Sequence, residues 1–508
     1  MRRRWTIWIA MALPGWLALC GARPIPYGGE LTVTLPPAEE LDPARLETIS
    51  ELVLAASVHE TVVRLAADGS VEPMLAREAR PSDDFREWTL LLRADECFHN
   101  GSPLDARDVV QSWERLLRRE TGSPHWWLLS MVDGALDFRQ GRIRSLRGLE
   151  TINRVTLKVR LTRSFPDFPQ ALAALPAAVL PSSWMARRVA TPPPGAGPFM
   201  LPRTLASPLE LRPFSRHVRG RPFLERLLYR APLPPERERV LLTPGSPAAG
   251  EEAPASQQSG EQASEQSAEP LEAAECWTVF LYQNPVPTSR WPEEARPIPW
   301  ALLDRGALAE AVPDARLPDG GEEWRPQEPA ASLAREEVRS RVAAWTVRRW
   351  GVPPMAILLI HPETAQRLIA SRLRADAARA GVVLVVQEKN YSDYVAALNG
   401  PDWDLRLVEM LPISADEELK GLQMLSLLGG EEAVREADGA LRQLPPGEER
   451  VSRLREIAAK HAGRNIQPLI SRGLRFSRQA DVEDVRFRGV ALDLSWCWLR
   501  SPGEKDGK

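Results

Sequence analysis

His59 and Glu60, in the run SVHETVVRL, begin the H-E-x-x-H pattern in which two histidines one helical turn apart hold zinc and the glutamate activates its water. Position 63 is Val, so the second ligand is missing. Gly195 and Gly197 begin a glycine fingerprint of the dinucleotide-binding kind, but Met200 occupies the third glycine position and the run enters a strand, not a helix. The sequence contains no G-x-S-x-G elbow, no phosphate-binding P-loop and no C-x-x-C pair. Six histidines are scattered along the chain without metal-ligand spacing. Asp83-Asp84 and Glu417-Glu418 read as solvated acidic pairs, and His99 beside a turn reads as structural. These patterns argue no catalytic, cofactor or metal site.

The elements that must position a binding site are legible in the hydrophobic periodicity. Glu30–Leu35 (ELTVTL) and Thr156–Leu161 (TLKVRL) alternate as half-buried strands. Ile49–Leu65 reads as a helical segment, and Phe165–Leu180 as a helix followed by a strand. Trp88–Arg93 is strand-like, Asn100-Gly101 makes a turn, and Asp105 caps a helix carrying Val109, Val110, Trp113, Leu116 and Leu117 on one face. Asp108 lies three residues after that cap as a weak capping box, and Leu104 and Val109 are spaced as a hydrophobic staple. Ala190–Leu201 is a loop entering a strand, and Trp277–Tyr282 is a buried strand. Ala356–Ile360, Thr364–Ala380 and Val382–Gln387 follow as strand, helix and strand, the βαβ signature of an α/β domain.

The chain of 508 residues is long enough for two or three domains, and a net charge of -3 excludes a general nucleic-acid binder. Arg2, Arg3 and Arg4 precede an apolar run from Trp5 to Leu19, too short for a comfortable membrane span, so residues 1–22 read as an export signal. Three outcomes stay open there: lipidation of Cys20, cleavage after Ala22, or an uncleaved anchor. If Cys20 is lipidated or removed, Cys97, Cys276 and Cys497 allow at most one disulfide. Thr243–Glu275 is rich in Pro, Ser, Gln and Glu and cannot bury enough apolar surface to order itself, so a disordered insertion is expected. A second weakly ordered stretch is expected over Pro313–Pro329.

Taken together, several runs in a fixed order resemble the bacterial extracellular solute-binding proteins of family 5, the peptide-, dipeptide- and nickel-type receptors of ABC importers. LLLRADECFHNGSPLDARDVVQSWERLL is similar to that family's signature. Val58–Asp84, the GAGPF run Gly195–Phe199, FLYQN with LLDRGAL, and IQPLI at Ile466–Ile470 follow in the family's order, and the resemblance covers nearly the whole mature chain. Where the family's pocket segment has Gly-Trp, this chain has Glu409 and Met410. Pro412 falls about where peptide receptors carry an aspartate for the ligand's amino terminus.

The resemblance implies an α/β, two-lobed periplasmic-binding-protein-like fold of class II type, with a hinge and an extra domain. Residues 23–50, 199–284 and 466–508 would form lobe I, residues 51–198 the extra domain, and 285–465 lobe II. It further implies an exported, non-catalytic monomer, periplasmic or anchored on the outer side of the inner membrane. This protein would deliver a peptide or similar small solute, held between the lobes, to an ABC importer permease. A relative that has left transport for sensing or interaction is the alternative. Glu409 and Met410 are the expected ligand-binding residues, with Glu409 placed to meet a cationic group.

Overall fold

Three sheets, each with its own apolar core, organise the chain, and each can be traced to alternating sequence. The computed structural model describes residues 25–500 apart from 36–37, 39, 67–68, 186–191, 203–207, 231–238, 245–268, 272–275, 285, 287, 289, 292–303, 313–314, 318–334, 350, 362–363, 390–392, 395–396, 398–401, 412, 462–465, 474 and 489–490. The signal segment with Cys20, the middle of the 243–275 stretch and residues 318–329 lie outside the described residues.

The first sheet has the spatial order Glu269–Pro270, Arg475–Arg478, Arg239–Pro244, Glu30–Thr34, Arg226–Arg230, Leu209–Pro213 and Phe199–Met200. Glu30–Thr34 runs parallel to Arg226–Arg230 and antiparallel to Arg239–Pro244. The helix Ile49–Val58 is buried along its whole length and packs in the same core as Leu31, Val33, Leu227 and Leu492. That explains its nearly continuous apolar sequence, because a helix covered on every side has no need of a polar stripe.

The second sheet has the order Ala315–Arg316, Ile466–Gly473, Cys276–Gln283, Leu405–Met410, Met355–Ile360 and Val383–Glu388. The βαβ unit forms as its sequence requires: Met355–Ile360 and Val383–Glu388 are parallel, joined by the helix Thr364–Arg379. The extra domain carries an antiparallel sheet of Ala76–Pro81, Glu87–Leu92, Thr156–Arg160 and Leu149–Asn153. Against it lies the helix Ala106–Leu117, with Val109, Trp113, Leu116 and Leu117 buried. Its capping box is complete, since Asp105 accepts from the helix start and Asp108 accepts from the Asp105 backbone N–H at 2.9 Å.

The GAGPF run has a steric cause. Its backbone passes so close to the end of the first helix that a Cβ on Gly195 would lie 1.8 Å from the Val58 carbonyl oxygen. Gly197 donates its N–H to that same oxygen at 2.9 Å. Only glycine permits this approach, so the broken fingerprint is a packing joint with no phosphate role.

Four sequence expectations are corrected. The first helix stops at Val58, where His59 is the C-cap, and Val63–Leu65 is a strand; the apolar run continues through a change of element, which periodicity over a short window does not detect. Phe165–Leu180 holds a helix at Phe168–Ala173 and a 3-10 turn, but no strand follows. The strands Cys276–Gln283 and Ile466–Gly473, expected in the first lobe, hydrogen-bond into the second sheet. An apolar run states that a strand is buried and leaves open which sheet receives it. The stretch 243–275 has structured edges, because Thr243 and Pro244 close a first-sheet strand and Glu269–Pro270 returns to the same sheet. Among the described cysteines, Cys97 and Cys497 are both buried and free.

The chain therefore passes between the two large sheets twice, after Leu271 and again between Gly473 and Arg475. The helices Glu417–Leu428, Gly430–Leu441 and Glu448–His461 form a layer that shares one core with the extra domain, including Trp126, Leu172, Leu422 and Ile457. A buried ion network crosses this contact. Arg163 is fully buried; its Nε donates to Glu418 at 2.8 Å and its Nη1 to Asp438 at 2.9 Å. Arg450 adds a bond to Glu418 at 3.2 Å and Thr162 one to Asp438 at 2.6 Å. Removing one member strands opposite charges away from water, so Arg163→Ala is expected to cost about 3–5 kcal/mol in urea denaturation. A loss below about 1 kcal/mol would show that the network is not needed to hold the extra domain on this layer.

Candidate functional site

The residues that first suggested chemistry are structural joints. His59 donates from Nε2 to the Leu41 carbonyl at 3.0 Å. Glu60 accepts from the buried Arg64, whose Nε lies 3.0 Å from Oε1, and the His217 ring lies 3.3 Å from its other oxygen. His99 donates from Nε2 to the Gly197 carbonyl at 2.9 Å, and burial pulls its pKa down to about 4, so it is neutral.

The site lies instead where the three bodies meet. A cavity of about 490 Å³ is bounded by Leu46–Thr48, by Arg119, residues 122–127 and Arg139, and by His361, Gln366, Tyr394 and residues 406–411. Gln423, Ser426, Leu427 and Glu431 from the helical layer close it. That volume is in the range of small-molecule sites. His361 directly follows the strand Met355–Ile360, and Glu409 and Met410 end the parallel neighbour Leu405–Met410. The cavity thus sits outside the carboxyl ends of parallel strands, where open α/β sheets take their ligands.

Its first wall is built by a helix cap. Glu51, three residues into the helix, accepts backbone N–H bonds from Glu40, Glu47 and Thr48 at 3.1, 2.8 and 3.0 Å. Those bonds hold the Glu47 backbone in place. Burial still pushes the Glu51 carboxyl up to about 7, against the backbone donors that lower it. Glu47 then meets His361 across the cleft, with Oε2 2.9 Å from the imidazole Nε2.

His361 is fixed from behind. Its backbone N–H donates to Gln366 Oε1 at 2.9 Å, Gln366 Nε2 donates to Glu409 at 3.4 Å, and the Tyr394 ring stacks at a centroid distance of 4.5 Å. Burial alone would lower the histidine's pKa, but the carboxylate of Glu47, then those of Glu51 and Glu409, hold it above its ordinary 6.5. Glu409, expected from sequence to meet a ligand, does line the cavity, and its side chain is 4% exposed with Arg472 at 3.8 Å. Met410 lines the cavity beside it.

A second ionic cluster forms the far wall. Glu431, at the start of its helix, is bound by Arg119 Nε at 2.7 Å, Arg139 Nε at 2.8 Å and Gln140 Nε2 at 3.2 Å. Arg139 also lies over the Trp126 ring, 4.4 Å from its centroid. Trp126, Trp127, Leu46, Leu407 and Leu411 supply apolar lining between the two clusters. Among the described residues no group of three or more histidine, cysteine or carboxylate side chains is arranged to hold a metal ion. Among them, too, no helix is long and apolar enough to cross a membrane.

Of the residues expected from sequence, Glu409 and Met410 line the cavity; Glu47, His361, Arg119 and Arg139 line it too and were not expected. A usable signal existed for His361, which is the residue immediately after the first strand of the βαβ unit. None existed for Glu47 or the arginines, because only packing brings their segments to the cavity.

The fold is two-lobed with a cavity between its parts, and comparison with known structures agrees on the fold. The model of bacterial extracellular solute-binding proteins, family 5 Middle, matches residues 70–231. The periplasmic oligopeptide-binding protein of Haemophilus influenzae is 30% identical over 131 residues, 25% of this chain and 24% of that protein. The nickel-binding periplasmic protein of Escherichia coli is 29% identical over 128 residues, 25% of this chain and 22% of that protein. The chain thus matches these curated relatives over about a quarter of their length. Solved structures extend the likeness of fold. The murein tripeptide-binding protein of Escherichia coli superposes with a TM-score of 0.69 at 17% identity, over 93% of this chain and 98% of that one. The oligopeptide-binding protein of Burkholderia pseudomallei gives 0.70 at 17%, over 94% and 99%. The chain is thus similar to the family 5 solute-binding proteins in residues 70–231 and in its fold.

The Glu47–His361 pair makes stability depend on pH with a definite sign. His361 binds its proton more tightly folded than unfolded, so the pair's contribution is fully present below about pH 6.5 and is lost as pH rises through the folded value. Wild type should therefore exceed His361→Gln in melting temperature most at acidic pH, and the gap should narrow above neutrality. A gap that widened with rising pH would contradict the pairing.

Proposed function

We propose that this protein is an exported, non-catalytic receptor that binds a short peptide or similar zwitterionic solute between its lobes and presents it to an ABC importer. The observation that carries the reading is the bipolar cavity. Glu47 and Glu409 line it beside His361, Arg119 and Arg139 line it around Glu431, and tryptophan and leucine side chains complete the lining. A molecule with an ammonium group at one end and a carboxylate at the other matches both ends at once. Relatives named for oligopeptide and murein peptide binding support the peptide class. In this reading Glu409 sets the field at the ammonium end together with Glu47, and Met410 contributes adaptable apolar contact. Ligand held by walls from both lobes favours the closed arrangement by its differential affinity for it. A monomer tethered through Cys20 or released after Ala22 is compatible with presentation to a membrane permease.

Native mass spectrometry of the exported protein against a pool of tripeptides tests this reading. Retention of peptides with both termini free, and not of the same pool acetylated and amidated, is expected. Glu47→Gln and Arg139→Ala should each weaken binding about ten- to a hundred-fold, as loss of one charge-assisted contact does. Equal retention of the capped pool, or of none, would remove the zwitterion reading.

A further inference from the structure

The acidic end of the cavity already contains an ionisable partner of its own. His361 is contributed by the second lobe and Glu47 by the first, and they meet at 2.9 Å inside the cavity. The groups facing His361 come from four segments. Glu47 lies in the turn before the first helix and Glu51 within that helix, while Glu409 lies on the neighbouring parallel strand and Tyr394 stacks on the ring. Nearby positive charge is committed elsewhere. Arg406 stands over the rings of Tyr282 and Trp403, at 4.7 and 5.7 Å, and Arg472 lies 3.8 Å from Glu409.

Glu47 differs from its acidic neighbours. Its side chain is 25% exposed, whereas that of Glu409 is 4% exposed, and the Glu51 cap fixes its backbone. It is therefore the carboxylate that an entering group can reach. Its present partner is the one nearby cation that can discard its charge near neutral pH.

Resting on the peptide reading, we propose that the His361 imidazolium is a resident stand-in for the ligand's ammonium group, and that a primary ammonium binds Glu47 in exchange for one proton. The ligand's N–H donates to the Glu47 carboxylate, His361 loses its counter-charge, and its ring proton passes to solvent. The imidazole stays neutral against Tyr394, so two cations never share the corner. No covalent bond changes. The exchange also converts a lobe-to-lobe contact into a lobe–ligand–lobe contact, which leaves the closed arrangement available to both states.

The sign of proton exchange separates this from its opposite. A carboxylate bound at His361 would draw a proton in, and affinity would fall with rising pH. Ammonium-for-proton exchange requires affinity to rise with pH, by up to about tenfold per unit, until His361 is already neutral in the free protein, and to fall once the peptide's amino terminus deprotonates near pH 8. The experiment is titration calorimetry of the full exported protein with the tightest-binding free-amino tripeptide of the pool. It is run at pH 6.5 in phosphate and in a buffer of high ionisation enthalpy, and repeated from pH 5.5 to 7.5.

Release approaching one proton per peptide is expected from the unmodified protein. His361→Gln should abolish release and flatten the pH profile while retaining binding at pH 7.5. Because Glu51 also titrates near neutrality, persistence of release in His361→Gln would assign the proton elsewhere and overturn the proposal. Proton uptake, or binding without exchange, overturns it too but leaves the peptide reading standing. Failure of every free-amino tripeptide to bind at any pH overturns both.

Discussion

Arg64 is almost completely buried, and its guanidinium is one of the points through which residues 51–198 are tied to the first sheet and its surroundings. Glu60, four residues before it, takes two of its N–H groups, and Asp493, from near the other end of the chain, takes a third. His217 lies against the same Glu60 carboxylate. A charged side chain in such a place is tolerated only when its donors are matched, and here the matching residues come from three separate segments. The consequence is geometric. The extra domain cannot pivot freely on the first lobe, so the turn at Leu46–Thr48 and the Trp126–Trp127 wall keep a constant relation across the cavity.

Arg163 does elsewhere what Arg64 does here, joining the extra domain to the helical layer. The two buried arginines place the extra domain as a bracket between lobes that the chain itself connects by only two crossings. The cavity is what remains between them. Its polar groups are arranged from behind by ordinary local structure: a helix cap orders Glu47, a glutamine at the start of a helix orders His361, and a helix N-terminus presents Glu431 to two arginines. The site is thus made by backbone geometry first and by charge second.

Much of this organisation was legible before any coordinates. The Asp105 helix, the alternating strands of the extra domain and the βαβ unit all formed where periodicity and capping placed them, because those signals are local. The errors fall where local signals end. His59 caps a helix in mid-run, and the strands at Cys276–Gln283 and Ile466–Gly473 enter the second sheet. Hydrophobic runs carry information about burial, but sheet membership depends on which partner edge is free when the chain arrives. The glycine pair in GAGPF looked like a damaged nucleotide motif for a related reason. Its meaning lies in the Val58 carbonyl it passes, far away in sequence.

By itself the sequence determined most of the elements and the resemblance to family 5, since each rests on contiguous residues with a fixed spacing. Tertiary structure alone decided the opposition of Glu47 to His361 and of Arg119 and Arg139 to Glu431. Those contacts join segments with no local relation to one another. Charge pairs of this kind leave no period in the chain, and only the burial of three apolar cores against one another brings them within reach.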